Sequence, residues 1–296
     1  MSAGRDGFVH PEFLVETDWL ATHLGDPNLV VLDCTTHLIP DPKITYTVKP
    51  GREDFEKSHI PGAQFLDLQA DLSDQQTKLR FMLPPPAEFA AAMRRFGIGD
   101  DSRIVTYSTA NPQWATRVWW VLRVYGFDNA AVLNGGFQKW AKEGRAVETG
   151  PGKSRPAGSF SERAAKPLMA DKQDVLAAIG DGAVCTINAL QAPQHAGSGG
   201  NTYGRPGRIA GSVNVPTVGL VEHVFAGRPA PCAIRCGARL RQKGHHLLRG
   251  RHRRERDGAR AGHARPSRCA ALRRLDVGMG GRPVAADGNR LIGYSQ

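Results

Sequence analysis

The chain has 296 residues, a formal net charge of +11 and five cysteines. This length allows two ordinary domains that each bury a core, so neither a disulfide framework nor a metal is needed for stability. The sequence lacks the roughly 20 consecutive apolar residues of a membrane span, and its first residues contain no apolar stretch typical of a signal peptide. We therefore expect a cytoplasmic protein that does not bind membranes.

The positive charge is concentrated near the C-terminus. Residues 228–290 contain 16 arginines and one lysine against four acidic residues, a net charge of +13 that leaves −2 for the rest of the chain. The same region contains no Phe, Tyr or Trp, so it lacks the rings on which nucleic-acid bases stack. We expect no specific nucleic-acid partner, only non-specific binding that is sensitive to salt.

The cysteines and histidines of the basic region raise the alternative of a zinc site, with the candidate ligands Cys232, Cys236, His245, His246 and His252. The spacing of the first three, C-x3-C-x8-H, matches no compact zinc-ligand pattern. We therefore predict neither a metal nor any other cofactor.

Strand and helix patterns alternate through the first 150 residues, which predicts an α/β domain with a largely parallel sheet. A short helix capped by Thr17 precedes a buried strand at 28–34, and a turn then leads into a second short strand within HIPGAQFLDL. The remaining predicted elements are a helix at 82–97, a strand at 102–108, a helix at 113–126, a strand that enters a glycine turn at 130–136 and a helix at 137–144.

The second half repeats this order. Residues 151–168 are rich in Gly, Pro and Ser, which predicts a linker between a first domain at 12–150 and the start of a second at 169–225. After it come the helix ADKQDVLAAIG, the strand AVCTIN and the segment RIAGSVNVP, which is the counterpart of HIPGAQFLDL. The pairing of the two halves indicates an internal duplication.

Several segments together carry a resemblance to a known family: VVLDC, HIPGAQFLDL, MLPPPAEFA, RVWW and LNGGFQKW in the first half, and AVCTIN and GRIAGSVNVP in the second. Over residues 12–222 the chain resembles the tandem rhodaneses, which include thiosulfate and mercaptopyruvate sulfurtransferases. The resemblance implies two α/β domains with mainly parallel central sheets flanked by helices, the second incomplete here. It also implies that sulfane sulfur passes from a small donor anion, thiosulfate or mercaptopyruvate, to cyanide or a thiol through a cysteine persulfide.

In that family the working cysteine ends a central strand of the second domain, and the amide groups and helix N-terminus behind it favour the thiolate. In the first domain, the strand RIVTYS places Ser108 at the equivalent position. A serine without an evident histidine base is a poor sulfur carrier, so we expect a degenerate, non-catalytic site. Its loop continues through Thr109, Ala110, Asn111, Pro112 and Gln113. The alternative is a non-catalytic protein that binds small anions or partners through this loop.

The basic region stands where the family has a strand, a cysteine loop and a Trp-containing helix. Read one base out of frame with permitted codons, residues 244–259 can give VITYCGGGIAASVTA, which resembles the expected strand and loop. The stretch around residues 273–291 can likewise give YDGSMSEWAADPSLPMETD and a stop, which resembles the family's C-terminus. We interpret residues 226–296 as out of frame and poorly ordered, with the cysteine codon straddling Leu248 and Arg249. The chain as written then contains no intact catalytic cysteine.

The sulfur donor stays open. Family members often carry Asp-x-Arg at the end of the second-domain strand, where this chain has Asn188 and Leu190. Arg205 and Arg208 supply the positive charge that an anionic donor needs, or they are solvated loop residues. In the first domain, Asp33 is a candidate for a structural ion pair with Arg52 across the intervening loop.

Overall fold

The computed structural model of the chain describes residues 10–41, 45–109, 111–199, 205–219 and 291–293. The strands of the first domain are β1 (Leu14–Val15), β2 (Leu29–Asp33), β3 (Thr36–Asp41), β4 (Thr45–Pro50), β5 (Gln64–Phe65), β6 (Arg103–Tyr107) and β7 (Ala130–Leu133). Five of them form one sheet in the order β1-β7-β6-β2-β5, in which every neighbouring pair is parallel. The predicted α/β class with a mainly parallel sheet is confirmed.

Helices cover both faces of this sheet: α1 (Thr17–His23), α2 (Arg52–Lys57), α3 (Leu68–Asp71), α4 (Pro86–Arg95), α5 (Pro112–Val124) and α6 (Gly136–Lys142). Val30 and Leu32 of β2 point into the core that contains α4 and α5. Leu29 and Val31 point into the opposite core, against α1, α2 and α6. All five residues of β2 are buried, as a central parallel strand requires.

The helices α4 and α5 form where the sequence predicts them, and a glycine follows each. Phe89 and Met93 on one face of α4 are buried in the core. Gly97 and Gly126 adopt φ angles of +70° and +73° shortly after the two helices end. Glycine is favoured there because it enters the left-handed region without steric strain.

Two details of the first domain differ from expectation. Thr17 is the first residue of α1 rather than its cap; the N-cap is Glu16, and α1 has no side-chain capping bond. The Glu16 carboxylate instead accepts hydrogen bonds from Asn134 Nδ2 at 2.7 Å and Lys139 Nζ at 2.5 Å. The antiparallel hairpin of β3 and β4 has no counterpart among the predicted elements, because the prolines at 40, 42 and 50 obscure its alternation.

Residues 151–168, which we call the strap, contain no helix or strand but pack on the first domain. Phe160 is 1% exposed and belongs to the core that contains α4 and α5. Arg155 Nη1 donates to the carbonyl oxygen of Leu29 at 2.9 Å. A Cβ on Gly158 would lie 2.1 Å from the carbonyl oxygen of Ile98, so only glycine permits this close approach. The strap is therefore physically part of the first domain.

The described part of the second domain contains a smaller sheet. Its elements are α7 (Lys172–Ala178), β8 (Cys185–Asn188), α8 (Ala192–Ala196), β9 (Val213–Asn214) and β10 (Leu291–Gly293). The three strands are parallel and lie in the order β10-β8-β9. Within the described ranges, no helix has the length and apolar character needed to cross a membrane.

The duplication is visible in individual hydrogen bonds. The amide of Leu66 donates to the carbonyl oxygen of Asp33, and the amide of Val215 donates to that of Asn188, both at 2.9 Å. The preceding turns match as well, because Gly62 and Gly211 have φ angles of +74° and +75°. The segments HIPGAQF and RIAGSVN thus adopt the same turn and the same parallel pairing with the strand before them.

Candidate functional site

Ser108 lies directly after β6, at the carboxyl end of the central sheet, as its place after RIVTY predicts. The residue is 6% exposed, and its hydroxyl donates to the carbonyl oxygen of Asn111 at 2.9 Å. Its own carbonyl oxygen accepts the amide of Phe137 at 3.3 Å. A Cβ on Gly136 would lie 2.7 Å from that oxygen, so the glycine turn before α6 closes tightly on Ser108.

Three backbone amides of the loop that follows Ser108 already donate hydrogen bonds within the domain. The amide of Thr109 donates to Thr35 Oγ1 at 2.9 Å. Asn111 caps α5: its side-chain oxygen accepts the amide of Gln113 at 3.0 Å, and its carbonyl oxygen accepts that of Trp114 at 3.3 Å. Pro112 has no N–H group, and Ala110 lies outside the described residues. The amides of Thr109, Gln113 and Trp114 are therefore not free to hold an anion.

A cavity of about 170 Å³ opens beside this loop, at the carboxyl ends of β6 and β7. Its lining combines backbone and uncharged side chains, including Ser108, Thr109, Pro112, Gly136 and Gln138. None of the residues that line it is charged. The cavity therefore has room for a small ligand, but its walls offer polar groups rather than a net charge.

A buried carboxylate lies beneath the loop. Asp33, at the end of β2, is 0% exposed, and its Oδ1 accepts hydrogen bonds from Thr35 N at 2.8 Å and Thr35 Oγ1 at 2.5 Å. Burial raises the pKa of Asp33 to about 6, against the lowering effect of these hydrogen bonds. The predicted ion pair between Asp33 and Arg52 is not observed. The guanidinium of Arg52 instead lies over Phe65, with its Cζ 4.8 Å from the centroid of the ring. The sequence does not predict this buried carboxylate, because a single acidic residue at the end of a strand is usually exposed.

Cys34 follows Asp33 and is the first domain's thiol. The side chain is fully buried, and Sγ donates to the carbonyl oxygen of Leu32 at 3.6 Å. Burial, and then the charge of Asp33, raises the pKa of the Cys34 thiol well above its usual value. A thiol in this environment stays protonated and is a poor nucleophile.

Of the residues predicted in the second half, the structure describes Arg205 and Arg208, and neither lines the cavity. Arg205 and Arg208 are exposed, and Arg208 Nη1 donates to the carbonyl oxygen of His195 at 3.3 Å. Leu248 and Arg249, the position expected for the cysteine codon, and the zinc candidates Cys232, Cys236, His245, His246 and His252 lie outside the described residues. Among the residues that the structure describes, no group of three or more His, Cys, Asp or Glu side chains is placed to hold a metal ion.

Comparisons with known proteins identify the family of this fold. The family model described as a rhodanese-like domain matches residues 16–143. The 3-mercaptopyruvate sulfurtransferase of Escherichia coli K12 is 30% identical over 249 residues, which cover 76% of this chain and 84% of that protein. The thiosulfate sulfurtransferase of Rattus norvegicus is 30% identical over 230 residues, which cover 73% of each chain.

A solved structure agrees with these matches. The crystal structure of SseA from Escherichia coli, described as a 3-mercaptopyruvate sulfotransferase with the rhodanese fold, is similar with a TM-score of 0.60 and 32% identity. The similarity covers 70% of this chain and 76% of that one. The chain therefore belongs to the rhodanese family of sulfurtransferases, because the fold, the matched domain and the identity to relatives over most of their length all agree.

Proposed function

We propose that the family activity of this protein is the transfer of sulfane sulfur from thiosulfate or mercaptopyruvate to cyanide or a thiol, through a cysteine persulfide in the second domain. The observation that carries the proposal is the match to the Escherichia coli 3-mercaptopyruvate sulfurtransferase, which spans 84% of that protein. Because the reaction depends on a reduced thiol, we also propose a location in the reducing cytoplasm.

We further propose that the chain as written does not catalyse this reaction. Ser108 occupies the nucleophile position of the first domain, and its hydroxyl is bonded to a backbone carbonyl rather than to a base. Cys34 is buried with a raised pKa, so it does not supply a thiolate. The nucleophile of the second domain is absent from the written sequence if its codon straddles Leu248 and Arg249.

Sequencing the gene across codons 220–292 tests the frame, and sulfurtransferase assays test the activity. We expect the 296-residue chain to show no turnover with thiosulfate and cyanide or with mercaptopyruvate. A chain with the frame restored should turn over, and replacing its new cysteine with serine should abolish the activity. An intact mass of the native protein that equals the mass of these 296 residues excludes a sequencing error. A persulfide on another thiol during steady turnover contradicts the proposed loss of activity.

The second candidate is a non-catalytic protein that binds a small ligand through the loop Ser108–Gln113. The cavity of about 170 Å³ beside the loop favours it. The uncharged lining, and the loop amides that already donate to Thr35 and Asn111, favour a small polar ligand over an anion. An NMR titration with thiosulfate, and with small neutral amides and alcohols, tests it: shifts confined to the loop support this candidate, and unchanged spectra contradict it.

A further inference from the structure

Asp33 has an unusual environment for a carboxylate. One oxygen, Oδ1, accepts both hydrogen bonds from Thr35, whereas Oδ2 is buried and lacks a close hydrogen-bond partner among the described residues. The hydroxyl of Tyr107 also acts on the carboxylate as a hydrogen-bonding group, with a smaller effect on the pKa of Asp33 than Thr35 has. A buried carboxylate oxygen without a partner lowers stability. Its presence in the core therefore calls for a role that an uncharged residue does not fulfil.

The titratable groups around Asp33 come from three parts of the domain. Tyr107 of β6 lies beside it, and burial and then the charge of Asp33 raise the pKa of this phenol. His59 lies near enough for its charge to act on Asp33, and Cys34 is the next residue on the chain. His59 Nε2 is buried, lies 3.9 Å from Glu148 Oε2 and has no hydrogen-bond partner in the part of the chain that the structure describes. Within the described residues, no lysine or arginine forms an ion pair with Asp33.

His59 is held in one orientation. Its ring stacks on Phe55 with centroids 3.8 Å apart, and its Nδ1 lies 2.7 Å from the carbonyl oxygen of Phe55. Because that carbonyl only accepts, Nδ1 carries a hydrogen. The ring of His59 is therefore fixed by Phe55 through both its face and its Nδ1, and its Nε2 is left without a hydrogen-bond partner among the described residues.

Thr35 connects the carboxylate to the loop. Its hydroxyl has a single hydrogen, which it donates to Asp33 Oδ1. The oxygen of that hydroxyl is then free to accept the amide of Thr109 at 2.9 Å, and Thr109 Oγ1 lies 3.1 Å away. The direction of the Thr35 hydroxyl, and with it the hold on Thr109, therefore depends on Asp33.

The second domain shows that the turn itself needs no charge. Asn188, the counterpart of Asp33 in the duplicated pairing, accepts the amide of Leu190 on its Oδ1 at 2.9 Å. This is the same bond that Asp33 forms with the amide of Thr35 at 2.8 Å. An uncharged asparagine is thus sufficient to form this turn, so the negative charge of Asp33 is not needed for the turn itself.

We propose that Asp33 is a pH-sensitive switch that sets how firmly the loop Ser108–Gln113 is held through Thr35. When ionised, it strengthens the Thr35 hydrogen bond and fixes the hydroxyl toward itself, so that Thr35 holds Thr109. When protonated, it accepts a weaker bond and the loop loosens. Because burial raises the pKa of Asp33 to about 6, the change falls just below neutral pH. This switch would act whether or not the protein transfers sulfur.

Hydrogen exchange measured by NMR between pH 4.5 and 8 tests the switch. After correction for intrinsic exchange, protection of the Thr109 amide should rise about fivefold across the titration of Asp33, since charge-assisted bonds are about twice as strong as neutral ones. The amide of Ile104 in the central strand β6, bonded to the carbonyl oxygen of Asn129 at 3.0 Å and fully buried, is the reference for opening of the whole domain and should not follow that titration in the same way. The carboxyl carbon signal of Asp33 gives its own titration curve.

Three variants separate the outcomes. Asp33→Asn should remove the pH response of Thr109, whereas Asp26→Asn, a change at an exposed aspartate, should leave it as in the wild type. Thr35→Val should lower the protection of Thr109 at every pH while Asp33 still titrates. If Asp33→Asn does not fold, Thr35→Val alone decides. A Thr109 response that persists in either variant, or that is absent from the wild type, overturns the proposal.

Discussion

Phe160 packs edge-on against Phe89, with ring centroids 5.7 Å apart, although one residue lies in the strap and the other in α4. The ring of Phe127 lies 5.6 Å from Phe160 on another side. A segment whose composition is typical of a linker therefore supplies one of the large side chains of the first core. The stability of that core depends on residues beyond 150.

Replacing this ring tests the role of the strap. Phe160→Ala should lower the free energy of unfolding of the first domain by about 3–5 kcal/mol, because the change removes a buried aromatic ring and leaves a cavity. Urea denaturation followed by tryptophan fluorescence measures the loss. Glu162→Ala, at an exposed position of the strap, is the matched control and should change stability by less than about 0.5 kcal/mol. Equal effects of the two variants would show that the strap does not stabilise the core.

Gly158 provides a steric test of the same packing. Gly158→Ala should displace the strap from Ile98 and destabilise the domain by about 1–3 kcal/mol, because the new methyl group has no room. Gly182→Ala places its methyl group in open space and serves as the control. Thermal unfolding of both variants gives the comparison, and an unchanged melting temperature for Gly158→Ala contradicts the close approach.

The stability of the first domain should depend on pH through Asp33. The folded pKa of about 6 is above the usual value of 3.8, so the folded state keeps this proton more firmly than the unfolded state. The stabilisation from the proton is fully present below pH 3.8 and is lost as the pH rises to about 6, a change of about 3 kcal/mol. Urea midpoints at pH 4 and pH 7 should therefore differ less in Asp33→Asn than in the wild type. If the two urea midpoints differ equally in the variant and the wild type, a group other than Asp33 is responsible for the pH dependence.

The N-cap of α5 is a further test of the loop. Asn111→Ala removes the acceptor for the amide of Gln113 and should lower the free energy of unfolding by about 1 kcal/mol. Asn111→Asp keeps an acceptor and should retain most of the stability. Chemical denaturation of the two variants compares them. A loss of the same size in Asn111→Asp would mean that the cap is not the source of the effect.

The central elements could be predicted from the sequence because their signals are local. The buried run at β2 and the strand RIVTY are continuous apolar stretches, and α5 ends before Gly126 as its apolar stripe predicts. The place of Ser108 followed from the same strand. These features depend on residues that are close together in the chain, so a single sequence is sufficient to predict them.

Other features depend on distant partners and were not accessible in this way. The strap composition gives no sign that Phe160 enters a core built by α4 and α5. Glu16 replaces Thr17 at the N-cap of α1, and its carboxylate contacts residues more than 100 positions away. The burial of Asp33 and its link to Thr109 likewise require two strands that are far apart in sequence to meet.

The strap also bears on the fate of the protein in a cell. Every hydrogen bond and ring contact that the strap makes with the first domain is in place by residue 168. A reading error in the gene downstream of that codon would leave this half chemically whole. Quality-control proteases would then meet a well-packed first domain that lacks the sulfur-transfer site, and we expect that domain to resist degradation.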